Sequence, residues 1–164
     1  MDTFAVEPAR AAGVSILLAE GDEFTRGLYP AESCYLLDIG ELEAPGVSVV
    51  VARSDAAESG TETGGMQAVG MAALVERGDG TAELKRMFVR AGARGRGIAS
   101  GILSIIEETA RSRDVTLLQL ETGPLQLEAI GLYEKHGYRR IPNFGQYAGD
   151  EFSLCMEKQL GEQL

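Results

Sequence analysis

The sequence contains little of what metal centres, disulfide frameworks and membrane helices require. It has two cysteines, Cys34 and Cys155, and one histidine, His136, in 164 residues. Cysteines so far apart indicate buried thiols in a reducing compartment, and a single histidine without a cysteine pair at ligand spacing argues against a zinc or iron site. No apolar run approaches the roughly 20 residues of a membrane helix, and the apolar stretch 14–19 is too short for a secretory signal. We therefore expect a cytoplasmic protein without a metal.

The composition predicts a folded chain. Apolar residues make up 45% and charged residues 24% of the sequence, which is ordinary for a globular domain. A chain of 164 residues is long enough to bury a core and short enough for one domain. We therefore predict a single domain over residues 1–164.

Charge is distributed unevenly along the chain. Residues 1–80 carry 14 acids against four arginines, which accounts for the whole net charge of −10, and residues 81–164 balance. The second half nevertheless contains a basic run made of Lys85, Arg86, Arg90, Arg94 and Arg96. An acidic chain repels nucleic acid, so this run predicts either a site for a small polyanion or a solvated charged loop.

Hydrophobic periodicity predicts an α/β (α+β) domain with a mixed sheet. Helices are expected over 9–29, 31–38, 97–113 and 126–135, and the strongest apolar face, in the third helix, consists of Ile98, Ile102, Ile105, Ile106 and Ala110. Strands are expected over 47–52, 67–76, 82–89, 115–120, 138–141 and 151–158, with a loop at 54–65. The inward residues of the first helix are predicted to be Leu17, Leu18, Phe24 and Leu28, and Cys155 is expected to face away from the core.

A glycine-rich loop opens the third helix. It reads Arg94-Gly95-Arg96-Gly97-Ile98-Ala99-Ser100-Gly101, and free N–H groups at a helix start bind anions. A P-loop would need Gly-Lys-Ser/Thr after four spacer residues, and a dinucleotide fingerprint would need glycine at position 100. The remaining interpretations are an anion site of another kind and a tight structural connection.

The loop and its context resemble the GCN5-related N-acetyltransferase (GNAT) superfamily. Residues 94–99 fit that family's coenzyme A loop, Gln/Arg-x-x-Gly-x-Gly/Ala. The segment 129–138, Ala-Ile-Gly-Leu-Tyr-Glu-Lys-His-Gly-Tyr, is similar to the family's Ala-x-x-Leu-Tyr-x-x-x-Gly-Phe, with Gln126 in place of the usual asparagine and Tyr138 in place of phenylalanine. Residues 28–30, 121–123 and 144–147 resemble a subgroup of small bacterial acetyltransferases.

The resemblance implies the acyl-CoA N-acyltransferase fold, with a mixed, mostly antiparallel sheet of six to seven strands flanked by helices. It implies that acetyl-CoA is the co-substrate and that the fourth strand and the next parallel strand splay apart around pantetheine. The residues expected to bind coenzyme A are Met87, Phe88, Val89, Arg94, Gly95, Arg96, Gly97, Ile98, Ala99, Ser100 and Gln126. A backbone N–H of 87–89 would polarise the thioester carbonyl.

The same resemblance implies catalytic roles for two side chains. Tyr133 matches the family's general acid, since a phenol stays protonated at neutral pH and can protonate a leaving thiolate. Glu83 is expected to be the general base, although a salt bridge would also explain it. Glu121 is the second choice for the base, and His136, one residue before a helix-capping glycine, is expected at the surface.

These features predict an N-acetyltransferase that acts on a small-molecule or peptide amine by direct transfer in a ternary complex. Its acidic first half would favour a cationic acceptor, and a homodimer is compatible with this prediction. No nucleic acid or membrane partner is expected. The alternatives are a regulatory module that binds acyl-CoA without transfer, and a protein that binds NAD or ATP.

Overall fold

The computed structural model describes residues 1–55 and 65–161. They form a seven-stranded sheet in the order β1-β2-β3-β4-β5-β7-β6. Its strands are β1 (Asp2–Glu7), β2 (Val47–Asp55), β3 (Met66–Glu76), β4 (Thr81–Val89), β5 (Leu117–Thr122), β6 (Arg139–Ile141) and β7 (Leu154–Gln159). Strands β4 and β5 pair in parallel and the other neighbours pair antiparallel, so the predicted fold class is confirmed.

Helices cover both faces of the sheet. Helix α1 (Val14–Arg26) and the short α2 (Ile39–Leu42) pack on one face, where Leu17, Met71 and Val51 are buried together. Helices α3 (Ile98–Ser112) and α4 (Leu127–Lys135) belong to the cluster on the other face. The predicted apolar stripe of α3 lies against the sheet, because the 3.6-residue period places its isoleucines on one side.

The N-terminal third departs most from the sequence predictions. Strand β1 was not expected, because only its Phe4 packs on the core and the strand has little apolar pattern. The helix predicted over 31–38 is wrong: a single 3₁₀ turn, Ala31–Ser33, precedes α2, which Asp38 caps together with Glu41. Cys34, at the end of the 3₁₀ turn, is extended, and the Asp38–Glu41 capping box then starts α2 as a separate element.

Three further local expectations need correction. Phe24 and Leu28 are 40% and 37% exposed rather than buried in the core. The expectation that Cys155 faces away from the core is wrong, whereas the expectation of a buried thiol is confirmed for it, since β7 is covered on both faces. The loop expected over 54–65 lies mostly outside the described residues, and its first two residues, Ser54 and Asp55, belong to β2.

The sheet opens between its two parallel strands. Pairing of β4 with β5 runs from Thr81↔Leu117 to Leu84↔Leu120 and then ends, although β4 continues to Val89. In the unpaired part of β4, Arg86 adopts a positive φ of 60° and the register with β3 shifts. This bulge bends β4 away from β5 and creates a wedge-shaped gap in the middle of the sheet.

Candidate active site

A large cavity occupies the gap between β4 and β5. Its volume is about 760 Å³, and it is lined by the end of β4, the loop before α3, the first turns of α3 and α4, and one side of α1. Phe24 of α1 and Leu28, just after the helix, line it, which explains their exposure. Apolar walls that lead to a glycine-rich helix start suit a ligand with an apolar arm and an anionic end.

The bulge in β4 is fixed by an ion pair. Arg86 donates to Asp22 of α1 at 2.6 Å and to the carbonyl oxygen of Leu18 at 3.0 Å, and its side chain is almost fully buried. A non-glycine residue at positive φ is uncommon and needs surrounding structure to hold it. Because Arg86 is anchored to α1, the bulge is held in place, and Met87, Phe88 and Val89 beyond it line the cavity.

The glycine loop at the start of α3 provides backbone donors. Gly95 and Gly97 have φ values of 78° and 79°, a region that glycine adopts without steric cost. The first hydrogen bond of the helix runs from the N–H of Gly101 to the carbonyl of Gly97 at 3.0 Å, so the N–H groups of 98–100 precede it and have no acceptor within the helix. Gly95, Gly97 and 98–100 line the cavity, which is the group of residues for which coenzyme binding was predicted.

The arginine side chains of the basic run do not act together. Arg94 lines the cavity, where it lies 5.3 Å from the Phe24 ring centroid. Arg96 instead donates to Asp2 at 2.7 Å, on the β1 side of the loop. Only the backbone of Arg96 therefore remains a candidate for coenzyme binding.

The acids of the first half and the basic residues of the second half meet in space. Besides Arg96 with Asp2 and Arg86 with Asp22, Arg90 pairs with Glu20 at 2.8 Å. Acidic and basic side chains neutralise one another at these contacts. The excess of acids in the first half of the sequence therefore does not produce an acidic surface there.

Two polar side chains support the mouth of the cavity. The Gln126 side-chain oxygen accepts a hydrogen bond from the N–H of Gly123 at 3.1 Å, which fixes the turn between β5 and α4. The Ser100 hydroxyl lies 3.0 Å from Nε2 of His136. His136 is thus half-buried and linked to the glycine loop, rather than lying free on the surface as expected.

A second, smaller cavity adjoins the first. Its volume is about 120 Å³, and its lining is polar and aromatic. Both cavities are lined by Thr25, Leu36, Arg86, Met87, Gln126 and Ala129. Their shared wall contains Arg86 and Met87 of the β4 bulge. A ligand group that lies against the bulge can therefore be reached from either cavity.

Tyr133 lines the smaller cavity from α4. It is buried, and its ring packs edge-to-face on Tyr138 with centroids 5.7 Å apart. Burial, with the nearby charge of Glu121, raises the pKa of the Tyr133 phenol above its usual value. This phenol therefore remains protonated at neutral pH and can act as a proton donor.

Glu83 also lines the smaller cavity but is held by other side chains. Its carboxylate accepts a hydrogen bond from the Tyr147 hydroxyl and lies 3.2 Å from Arg77 and 3.7 Å from Lys85. Lys85 in turn donates to the Tyr147 hydroxyl at 2.7 Å. Glu83 therefore takes part in salt bridges, as the alternative interpretation of this residue expected. These contacts make Glu83 a weaker candidate for the general base.

Glu121, at the end of β5, has the properties of a titrating base. It is largely buried in the wall of the smaller cavity. Burial raises its pKa to about 7, and the neighbouring charge of Glu83 adds to the rise while Lys85 opposes it. A carboxyl group with a pKa close to neutral can take up a proton and release it again at physiological pH.

Several residues of the smaller cavity were missed by sequence reasoning. Tyr147 reaches the cavity from the β6–β7 loop, and Tyr29 reaches it from the segment after α1. Tyr29 accepts a hydrogen bond from the N–H of Leu125 at 3.1 Å and occupies space that a Cβ on Gly123 would fill. Their segments resembled a known subgroup, but only the folded chain brings them to one cavity.

Within the described residues, no group of three or more His, Cys, Asp or Glu side chains is placed to hold a metal ion. Among the helices of 1–55 and 65–161, none is both long and apolar enough to cross a bilayer.

A sheet split between parallel strands, with a glycine loop at the wide end and a bulge at the narrow end, is the arrangement of the acyl-CoA N-acyltransferase fold. A model described as the acetyltransferase (GNAT) family matches residues 16–138. The chain therefore belongs to the GNAT family of acetyltransferases and is an acyltransferase. Proteins with this fold use acetyl-CoA.

Individual relatives agree with this family. An IAA acetyltransferase of Azospirillum brasilense is 41% identical over 158 residues, which cover 96% of this chain and 97% of that protein. An uncharacterized N-acetyltransferase of Bacillus subtilis is 30% identical over 133 residues, covering 80% of this chain and 82% of its own. A crystal structure from Klebsiella pneumoniae, provisionally named an acyl-CoA N-acyltransferase, has a TM-score of 0.77 and 30% identity, covering 98% of this chain and 99% of the other.

Proposed function

We propose that this chain transfers an acetyl group from acetyl-CoA to a primary amine by direct attack in a ternary complex. The observation that carries the proposal is the junction of the two cavities at the β4 bulge. The larger cavity has the size and lining for coenzyme A, and the smaller has the polar groups that an amine needs. At their shared wall, the thioester and the acceptor would lie within reach of one another.

The coenzyme end of the site would bind through backbone rather than side-chain charge. The N–H groups of 95–100 would donate to the diphosphate at the positive end of the α3 dipole. Pantetheine would lie along the unpaired part of β4, between Met87 and Leu132, and its amides would take the place of a strand partner. An N–H in this stretch would stabilise the negative charge that develops on the thioester oxygen.

Two side chains would move the protons. Glu121 would accept a proton from the ammonium form of the acceptor, which frees the nitrogen lone pair for attack. The new C–N bond forms as the C–S bond breaks, Tyr133 would give its proton to the departing thiolate, and the resulting phenolate would take the second proton that the acylated nitrogen must lose. In this proposal Glu83 orients Lys85 and Tyr147 instead of acting as the base.

The test measures release of free thiol from acetyl-CoA with a panel of amines, together with calorimetric binding of coenzyme A. We expect saturable coenzyme binding and amine-dependent thiol release. Binding without release for any amine would point to the regulatory alternative, and binding of NAD or ATP in place of coenzyme A would refute the proposal.

A further inference from the structure

The smaller cavity contains a cation that the proposed chemistry does not use. Lys85 lies on β4 two residues after Glu83, so both side chains point to the same side of the strand. The Lys85 side chain is only 8% exposed, and both residues line the cavity. A lysine is almost never buried unless its charge has a partner. The charges around Lys85 therefore determine whether it can also bind an anionic group of a ligand.

The charge of Lys85 is only partly balanced. Glu83 is 3.7 Å from Lys85, but it also pairs with Arg77 at 3.2 Å, so one carboxylate serves two cations. The Tyr147 hydroxyl accepts from Lys85 and is neutral. Glu121 is the other acid of the cavity wall, and its proposed role as a base requires it to become protonated during the reaction. Once an acceptor ammonium lies at Glu121, the carboxylates of Glu83 and Glu121 face three cations, those of Arg77, Lys85 and the ammonium, so one positive charge has no partner among these groups.

A second donor lines the same cavity. The Tyr29 hydroxyl accepts a hydrogen bond from the N–H of Leu125 at 3.1 Å, so its own proton can be donated to another acceptor. Tyr29 is buried, and Gly123 leaves it no room to move in that direction. A buried ammonium and a fixed phenol together suit a carboxylate, because charge-assisted hydrogen bonds to an anion are the strongest ones available.

The cavity is small, and Tyr147 and Phe152 of the β6–β7 loop form part of its wall. At about 120 Å³ it has the volume of roughly four water molecules. The loop is held by Asn143, whose side-chain nitrogen lies 3.0–3.2 Å from the carbonyl oxygens of Tyr147, Asp150 and Ser153. Asp150 also accepts from the Tyr35 hydroxyl at 2.6 Å. A cavity bounded in this way fits an amino-acid headgroup better than a polypeptide segment.

We infer that the acceptor is a small amino acid, with its amine at Glu121 and its carboxylate at Lys85 and Tyr29. This inference rests on the proposed function and narrows its acceptor from amines in general to zwitterions. It replaces the expectation of a purely cationic amine, which rested on sequence charge alone. A peptide N-terminus has an amide in place of the carboxylate and is disfavoured on this account.

The experiment compares alanine with alaninamide and ethylamine. Alaninamide keeps the size of alanine without its negative charge, and ethylamine lacks the carboxyl group altogether. Each is titrated by calorimetry into protein saturated with free coenzyme A, and each is assayed for thiol release from acetyl-CoA. We expect alanine to bind at least about tenfold more tightly than either analogue, the effect of one charge-assisted hydrogen bond.

Variants at Lys85 test whether this residue causes the preference for alanine. In Lys85→Met, alanine should bind about as tightly as alaninamide and ethylamine. In Lys85→Arg, which keeps the charge, the preference for alanine should largely remain. Lys135→Met, an exposed lysine in the last turn of α4, is the matched control and should keep the full preference. Unchanged coenzyme A affinity in Lys85→Met shows that the variant is folded, since Lys85 lies outside the coenzyme cavity.

The outcomes separate this inference from the proposed function. Equal or tighter binding of alaninamide or ethylamine by the unaltered protein overturns the inference, as does a preference that survives in Lys85→Met. Neither result contradicts the proposed acetyltransferase function, provided that the protein binds coenzyme A and acetylates an amine. Loss of coenzyme binding in the unaltered protein would instead refute the proposed function.

Discussion

Replacing Glu121 with glutamine tests the electrostatics of the site directly. The carboxyl group has a pKa of about 7 in the folded protein, against about 4.5 ordinarily, chiefly because burial penalises its charged form. Each pKa unit corresponds to about 1.36 kcal/mol, so the raised pKa costs the folded state up to about 3 kcal/mol once the group is ionised. The Glu121→Gln variant is neutral at every pH and does not carry that cost.

The sign of the effect follows from the two pKa values. Below the unfolded-state pKa, Glu121 is protonated in both states and contributes no pH-dependent difference. As pH rises from about 4.5 to about 7, the unfolded state ionises first and the folded state loses stability; above this range the cost is complete. We therefore compare the free energy of unfolding of Glu121→Gln with that of the unaltered protein at each pH. The advantage of the variant should be larger at pH 8.5 than at pH 4.5, by as much as about 3 kcal/mol.

Urea unfolding at these two pH values measures the difference. The matched control is Glu108→Gln, an exposed position on α3 that should change little between the two conditions. A stability difference of Glu121→Gln that is the same at both pH values would refute the reasoning, because it would mean that Glu121 ionises as readily in the folded as in the unfolded chain.

The same variant has the opposite effect on activity. As the base, Glu121 must be ionised, so kcat/KM should fall as pH drops through about 7. Glu121→Gln should lose that limb of the profile and about 10²-fold or more in rate. A group that lowers stability while raising activity is typical of a functional site. A variant with normal rates and an unchanged pH profile would remove Glu121 from the mechanism.

Three other substitutions probe the rest of the site. Tyr133→Phe should lower kcat at least about tenfold with little change in coenzyme affinity, since only the transition state uses its proton; equal loss of both would make Tyr133 a binding residue. Gly97→Glu should abolish coenzyme A binding in calorimetry through backbone strain at φ 79° and like charge, whereas Gly92→Glu, whose Cβ would meet nothing within 4 Å, should bind normally. Gly123→Ala places a Cβ 1.8 Å from the Tyr29 hydroxyl oxygen, so it should lower the melting temperature and weaken acceptor binding; an unchanged KM for the acceptor would contradict the role given to Tyr29.

The glycine loop and helix that line the larger cavity could be predicted from the sequence because they are built from local signals. A strand, a glycine loop and a strongly periodic helix follow one another within residues 82–113. Gly95 and Gly97 carry the backbone conformation themselves, so their positions are readable without knowledge of the fold. Side-chain roles in the same loop were less predictable, since Arg96 is drawn to Asp2 of a strand 94 positions away.

The acceptor half could not be predicted in the same way. Its residues come from β4, β5, α4, the segment after α1 and the β6–β7 loop, and no local pattern links them. The choice between Glu83 and Glu121 depended on which carboxylate meets Arg77 and Lys85 and which is left in a buried wall. Such differences arise from tertiary contacts, which single-sequence patterns do not encode.

Strand β1 ties the front of the chain to the coenzyme loop. Phe4 lies where a Cβ on Gly101 would need to be, and Asp2 anchors the side chain of Arg96. Residues 2–7 pair with 49–54 of β2, so this support is assembled only after a distant segment has folded. Removal of residues 1–7 would take away the contacts that hold Gly101 and the Arg96 side chain, so we expect weaker binding of coenzyme A in such a shortened chain.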